Sequence, residues 1–327
     1  MPQLSEQENQ ELIRYIEAGK ALPDKYRFLL FDDKREVELV WNGKTNEVTN
    51  IVMPFQVIEQ VDEPRAEKDL NLQISLFDTD SRGRQLKGWT NKLIWGDNKL
   101  ILSSLKNGAM REEIEKQGGI KLIYIDPPFD VGADFSMNIE IGNDTFTKKP
   151  NILEEIAYRD TWGKGTDSFI SMIYERLVLM RDLLAEDGNI FVHCDWRVNS
   201  FLRLILDELF GSEYQVNEII WCYTSGGKST RTFAKKHDTI YYYSKSKSYI
   251  FNDDSIRIPY SEKTLANYKP GLQGSSYTSD VKLNDLGKIP EDYWNIAVAS
   301  KSLIENIGYP TQKPEALMER IINVASD

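Results

Sequence analysis

The sequence predicts an α/β protein with a helix-flanked parallel sheet, preceded by a small N-terminal α+β module. Three observations carry this reading. From residue 89 onward, short apolar runs alternate with longer stretches whose apolar residues recur every three or four positions, the rhythm of strands and covering helices. Turn-forming glycines, Gly188 and Gly211, stand just past the expected helix ends. A chain of 327 residues with 41% hydrophobic and 28% charged residues has enough apolar surface for a large core.

The elements follow in order. Ser5-Glu6-Gln7-Glu8 has the spacing of a helix capping box, with Leu12, Ile13 and Ile16 as its apolar stripe and Gly19 as its stop. Val37, Leu39 and Trp41 alternate, and Asn42-Gly43 signals a hairpin returning through Val48 to Val52. Residues 1–60 are therefore read as the small module. Residues 61–88, polar and broken by Pro64, Gly83 and Gly88, are read as a linker, and residues 89–327 as the main domain. That domain is expected to hold strands at 92–96, 121–126, 189–194, 217–223 and 239–244, with helices at 100–106, 168–184 and 198–209. In the 168–184 helix, Phe169, Ile173, Leu177, Met180 and Leu184 share one face.

Composition excludes several classes. Two cysteines, Cys194 and Cys222, rule out a disulfide framework, and with only His193 and His237 beside them a zinc cluster is not expected. The polar opening MPQLSEQENQ does not resemble a signal peptide, and no apolar run has the length of a membrane span, so a soluble cytoplasmic protein without membrane partners is expected. The net charge of −11 argues against non-specific coating of nucleic acid. Residues 1–80 carry 17 acidic and 9 basic residues, so the remainder is nearly neutral and leaves room for a local basic cleft.

The chemistry concentrates at the exit of the second expected strand, Asp126-Pro127-Pro128-Phe129. Two consecutive prolines lack N–H donors and fix φ, so the chain can neither continue a ladder nor enter a helix at once. The backbone is held around one carboxylate and one aromatic ring, and the Pro127 carbonyl is left to accept a bond from a ligand. Such a device suits an exocyclic amine on a flat base.

These residues resemble the catalytic motif of DNA amino-methyltransferases, which methylate adenine N6 or cytosine N4. The resemblance runs over residues 91–327. Asn91 to Asn98 resembles the segment upstream of the catalytic loop, Tyr158 to Trp162 the stretch before the next helix, and Gly188 to Trp196 the following strand and exit. Gly308-Tyr-Pro-Thr311-Gln312-Lys313-Pro314-Glu315 resembles the helix start that borders S-adenosylmethionine. The order, catalytic loop first, resembles the permuted β class, which includes the modification subunits of type III restriction systems. The fold implied is a Rossmann-like methyltransferase sheet. One departure stands out: the sequence ends at Ala325-Ser326-Asp327, where the resemblance implies a further strand and a Phe-x-Gly-x-Gly turn. The expectation is an incomplete sheet, with one unpaired edge on the 121–126 strand and weak or no cofactor binding by the isolated chain.

The resemblance also implies roles. Asp126 and the Pro127 carbonyl accept the two hydrogens of the target amine, while Phe129 stacks on a flipped base and Pro128 stiffens the loop. Asp97, Asn98, Asp126, Thr311, Gln312, Lys313 and Pro314 border S-adenosylmethionine. Plainer readings stand beside these. Asp97 and Asn98 can cap the 100–106 helix, and Thr311 or Gln312 the helix opened by Lys313-Pro314. Asp195 either lines the same cleft or caps the next helix, and Trp162 either borders the base or packs in the core. Lys228, Arg231, Lys235 and Lys236, with Phe233 among them, form an acid-free basic run suited to DNA phosphates, or else a solvated loop. Gly227-Lys228-Ser229 lacks the upstream glycine and downstream apolar helix of a phosphate-binding loop. Residues 224–300 are the expected target-recognition region. The partners implied are double-stranded DNA, a restriction subunit and a second copy of the chain. Asp before Pro-Pro favours adenine N6; cytosine N4 and a non-catalytic DNA-binding module are the alternatives.

Overall fold

The computed structural model describes residues 6–17, 38–45, 49–56, 91–127, 137–141, 144–148, 166–224, 229–267, 283–299, 305–306 and 311–326. The expected linker at 61–88, Pro128, Phe129, Trp162 and Lys228 lie outside these residues. The chain divides into two compact units, Met1–Val40 and Trp41–Asp327. In the first, helix α1 (Glu6–Glu17) starts directly after Ser5, where the capping-box spacing puts it.

The second unit runs α2 (Asn98–Asn107), α3 (Met110–Lys116), β1 (Ile120–Ile125), a hairpin of β2 (Met137–Ile141) and β3 (Asp144–Lys148), α4 (Thr166–Leu183), β4 (Leu184–Cys194), α5 (Asn199–Phe210), β5 (Gln215–Cys222), β6 (His237–Ser244), α6 (Glu262–Asn267), β7 (Tyr293–Asn295) and α7 (Glu315–Ala325). The main sheet has the order β1-β4-β6-β5-β7. β1 pairs with β4, and β5 with β7, in parallel; β6 is antiparallel to both its neighbours. The expectation of a parallel sheet is thus corrected to a mixed one. A direct β5-to-β6 connection without a crossover helix leaves antiparallel pairing as the short route back.

Burial follows position in the sheet. Ile190, Phe191 and Val192 of the interior strand β4 are fully buried, whereas β1 is half-buried along its whole length. β1 is the edge strand, and no strand pairs with its outer side among the described residues. The period of two sorts each strand's side chains between two covers. Phe191, Ile219, Trp221, Ile240 and Tyr242 pack with Leu317, Ile321 and Val324 of α7, with Leu122 and Tyr124 of β1 against the same cluster. Tyr241 and Tyr243 point the other way, donating to the Asn199 carbonyl (3.1 Å) and the Asp207 carboxylate (2.6 Å) of α5.

Three expected elements differ. Residues 92–96 are not a strand and join no ladder among the described residues, and Leu93 is fully exposed. The 37–52 hairpin forms its turn at Asn42-Gly43, with Gly43 at φ +91°, but no ladder among the described residues. Its partners are helices instead. Trp41 Nε1 donates to Ser171 Oγ at 2.8 Å, Lys44 pairs with Glu208 at 2.8 Å, and Ser104 Oγ accepts from the Met53 N–H at 2.8 Å. Gly188 is not past a helix end but inside β4, where a Cβ would meet the Ile120 carbonyl oxygen at 2.8 Å.

Candidate active site

The alternation that builds the core also builds a polar cluster at one end of it. On the α7 face, Leu122 and Tyr124 of β1 are followed in step by Asp126. Phe191 of β4 is followed by His193, Trp221 of β5 by Tyr223, and Ile240 of the antiparallel β6 is preceded by Asp238. The register pairs Tyr124 with Phe191, His193 with Ile240, and Trp221 with Asp238, so these side chains meet beyond the carboxyl ends of β1, β4 and β5. Ligands in such sheets bind at that end.

The cluster is connected throughout. His193, fully buried, places Nδ1 3.4 Å from Asp126 Oδ1 and 3.1 Å from the Tyr124 hydroxyl. Its Nε2 lies 3.1 Å from Asp238 Oδ2, and the Tyr223 hydroxyl donates to Asp238 Oδ1 at 3.1 Å. The Trp221 ring stands edge-on to the imidazole at 5.5 Å. From the solvent side, the Lys313 ammonium pairs with Asp126 Oδ2 and donates to the Thr311 carbonyl at 3.3 Å. Burial, reinforced by Asp126 and Asp238, raises the Tyr124 pKa well above the ordinary phenol range. Burial and then Asp238 push Tyr223 up to about 12. Both phenols therefore keep their protons at neutral pH.

Of the sequence-derived residues, the structure brings Asp126, Pro127 and Lys313 to one place. Thr311 is exposed beside them. Gln312 donates to the Glu305 carbonyl at 2.6 Å. Helix α7 is capped by neither Thr311 nor Gln312. Its N-cap is Pro314, and the Glu305 carboxylate accepts from the Glu315 N–H at 3.1 Å. Asp97 is the N-cap of α2, accepting from the N–H groups of Lys99 (2.8 Å) and Leu100 (3.2 Å). Asn98 accepts from Arg176 of α4, whose guanidinium also lies 3.9 Å from Asp97. Burial lowers the Arg176 pKa, opposed by Asp97 and Glu175. No direct contact joins this pair to Asp126 among the described residues.

Asp195 does not cap α5, whose N-cap is Val198. Its carboxylate instead accepts from the Arg197 N–H at 2.9 Å and from the Arg197 guanidinium. Burial raises its pKa, with Arg197 opposing. Arg231 and Lys235 are exposed on the β5–β6 connection, Lys236 is half-buried and donates to the Thr224 carbonyl at 2.9 Å, and Phe233 is fully exposed. Lys235 lies over the Trp196 ring at the exit of β4. Sequence reading missed His193, Asp238 and Tyr124 as site residues. Their signal was the period of two, since each shares a strand face with a core residue next to a strand exit.

The family model for DNA methylase matches residues 120–327, about two thirds of the chain. The type II methyltransferase M.EcaI of Enterobacter cloacae is 34% identical over 163 residues, covering 50% of this chain and 31% of that protein. The EcoP15I Mod subunit of a type III restriction-modification enzyme from Escherichia coli is 28% identical over 220 residues, covering 64% and 32%. The DNA adenine methyltransferase YhdJ of Escherichia coli K12 is 25% identical over 213 residues, covering 64% and 61%. The chain spans about a third of the length of the first two. With a match over residues 120–327 that contains Asp126, His193, Asp238 and Lys313, the chain belongs to the N6/N4 family of DNA methylases.

Proposed function

We propose that this chain carries the catalytic part of a site-specific DNA methyltransferase that acts on adenine N6, with S-adenosylmethionine as methyl donor. The observation that carries the reading is the Asp126 carboxylate at the exit of β1, followed by Pro127, with one oxygen facing a displaceable lysine. An exocyclic amine is a poor nucleophile because its lone pair is shared with the ring. Asp126 accepts one of its hydrogens and the Pro127 carbonyl the other, and both stabilise the positive charge that grows on nitrogen during transfer. Phe129 stacks on the base once it has left the duplex.

When bound, S-adenosylmethionine supplies an activated methyl group on a sulfonium. The residues present fit it by charge. Lys313 sets an ammonium beside Asp126 at the strand exit, complementary to the carboxylate of the donor's amino-acid part. Asp97 keeps its Oδ1 on the α2 cap, so its second oxygen is the one to engage the donor's adenosine part. Gln312 and Pro314 serve by fixing the segment that presents Lys313.

DNA phosphates are held by Lys228, Arg231, Lys235 and Lys236, and residues 224–300 read the target. The type III Mod relatives support a restriction-modification setting with a restriction subunit as partner. Adenine is favoured over cytosine N4 by Asp before Pro-Pro and by the relative named as an adenine methyltransferase. The test is Asp126→Ala assayed for transfer of labelled methyl to unmethylated DNA, followed by digestion and nucleoside analysis. Loss of transfer with fold retained, and N6-methyladenine as the wild-type product, support the reading. Near wild-type transfer by the variant would reduce Asp126 to a strand-end residue, and N4-methylcytosine would reassign the base.

A further inference from the structure

We infer that His193, backed by Asp238, is a positioning residue for Asp126. It holds the Oδ1 side of that carboxylate from inside the protein, so that Oδ2 is the oxygen offered to the target amine. The inference rests on the proposed methyl transfer and extends it to residues to which the sequence assigned no role.

Asp126 lies one residue beyond β1, an edge strand that among the described residues has a ladder on one side only. A carboxylate at the end of an edge strand is poorly constrained, and misplacement by about 1 Å can cost about a hundredfold in rate. Its two oxygens are held by different kinds of partner. Oδ2 meets Lys313, a long side chain in the segment leading to α7, which an incoming ligand can displace. Oδ1 meets His193, which is wholly buried on the interior strand β4 and cannot be displaced without opening the sheet.

His193 is itself fixed from several directions. Asp238 of β6 holds Nε2 at 3.1 Å, the Tyr124 hydroxyl of β1 lies 3.1 Å from Nδ1, and the Trp221 ring of β5 stands against the imidazole. Tyr223 in turn orients Asp238. Burying an imidazole between two carboxylates is costly, and an apolar residue of similar size would serve the core more cheaply. What this arrangement supplies is a rigid link from the buried interior of the sheet to the carboxylate at its edge.

Two measurements on the full chain test the link. In the first, methyl transfer is followed for His193→Phe, His193→Asn and His193→Gln, with melting curves and S-adenosylmethionine binding as controls. His193→Phe should lower kcat at least thirtyfold, with KM for DNA and cofactor affinity within threefold. Asparagine can place an amide where Nδ1 was and should recover at least a fivefold part of that loss; glutamine reaches Nε2 instead and should not. A kcat within threefold for His193→Phe, or equal losses in all three variants, would overturn the inference. The second needs no activity. In 15N-histidine-labelled protein, Asp126→Asn should shift the His193 Nδ1 resonance and Asp238→Asn the Nε2 resonance. An Nδ1 resonance unmoved by Asp126→Asn would overturn the link, even if methyl transfer occurs. A moved resonance in a chain that transfers no methyl would count against the proposed function and leave the contact standing.

Discussion

Asp126 and Asp195 leave adjacent parallel strands in the same way and end in different company. Asp126 is a quarter exposed and answered by Lys313 and His193. Asp195 is buried and answered by Arg197, two residues on, in a tight local turn. Burial raises the Asp195 pKa despite that arginine. The folded state therefore binds this proton more tightly than the unfolded chain does. The group favours folding below the ordinary Asp range, near about pH 4, and that contribution is lost as the pH rises through the raised folded value. Asp195→Asn should accordingly flatten the fall in Tm across the weakly acidic range, read by melting curves from pH 4 to 7. Tyr223 provides a second titration test. In a spectrophotometric titration of the folded protein, the phenolate signal removed by Tyr223→Phe should lie near 12 rather than in the ordinary tyrosine range.

Helix α5 and the β5–β6 connection show two ways an element ends. Gly211 closes α5 at φ +99°, donating its N–H to the Asp207 carbonyl at 3.0 Å, before a single 3-10 turn enters β5. An L side chain strains that backbone, so Gly211→Ala should cost about 1–2 kcal/mol in chemical denaturation. At the other end of β5, the basic stretch Arg231 to Lys236 is tied locally to its neighbours. Ser229 accepts from the Thr232 N–H at 3.1 Å, and the Tyr223 N–H donates to the Lys236 carbonyl at 3.0 Å. If the proposed phosphate contacts form, neutralising Arg231 or Lys235 should reduce the salt slope of DNA binding by about one unit each. Lys236, already donating to Thr224, should count for less. Binding unchanged at every salt concentration would return the loop to solvent.

Across the molecule, stability should grade from the centre of the sheet outward. β4 and β6 are paired on both sides and almost wholly buried, whereas β1, among the described residues, has one ladder and half-buried side chains. Hydrogen exchange should therefore find the β4 and β6 amides slowest and the β1 amides that point away from β4 markedly faster. Equal protection on both sides of β1 would mean that another segment covers that edge. Phe191 stacks on Tyr242 with centroids 4.2 Å apart at the centre of the core, and Phe191→Ala should cost about 3–5 kcal/mol.

Local pattern was enough for much of this. The helical stripe of α4, the capping box of α1, the apolar runs of β1, β4, β5 and β6, and the Asp-Pro-Pro exit are all written within a few consecutive residues. Short-range sterics and the periods of 3.6 and 2 act at that range. What depends on partners distant in sequence was not legible. The apolar run at 92–96 looks like a strand, but a strand is made by its neighbour, and no ladder forms there. Trp41 alternates like a hairpin residue yet gives its indole N–H to Ser171, 130 positions away. β7, only three residues long, exists because β5 offers it an edge. At the site, the sequence determined which carboxylate stands at a strand exit and which lysine precedes α7. Only the tertiary structure decided that His193, Asp238 and Tyr124 meet that carboxylate, because strand order and register are set by packing of the whole sheet and not by any one of its strands.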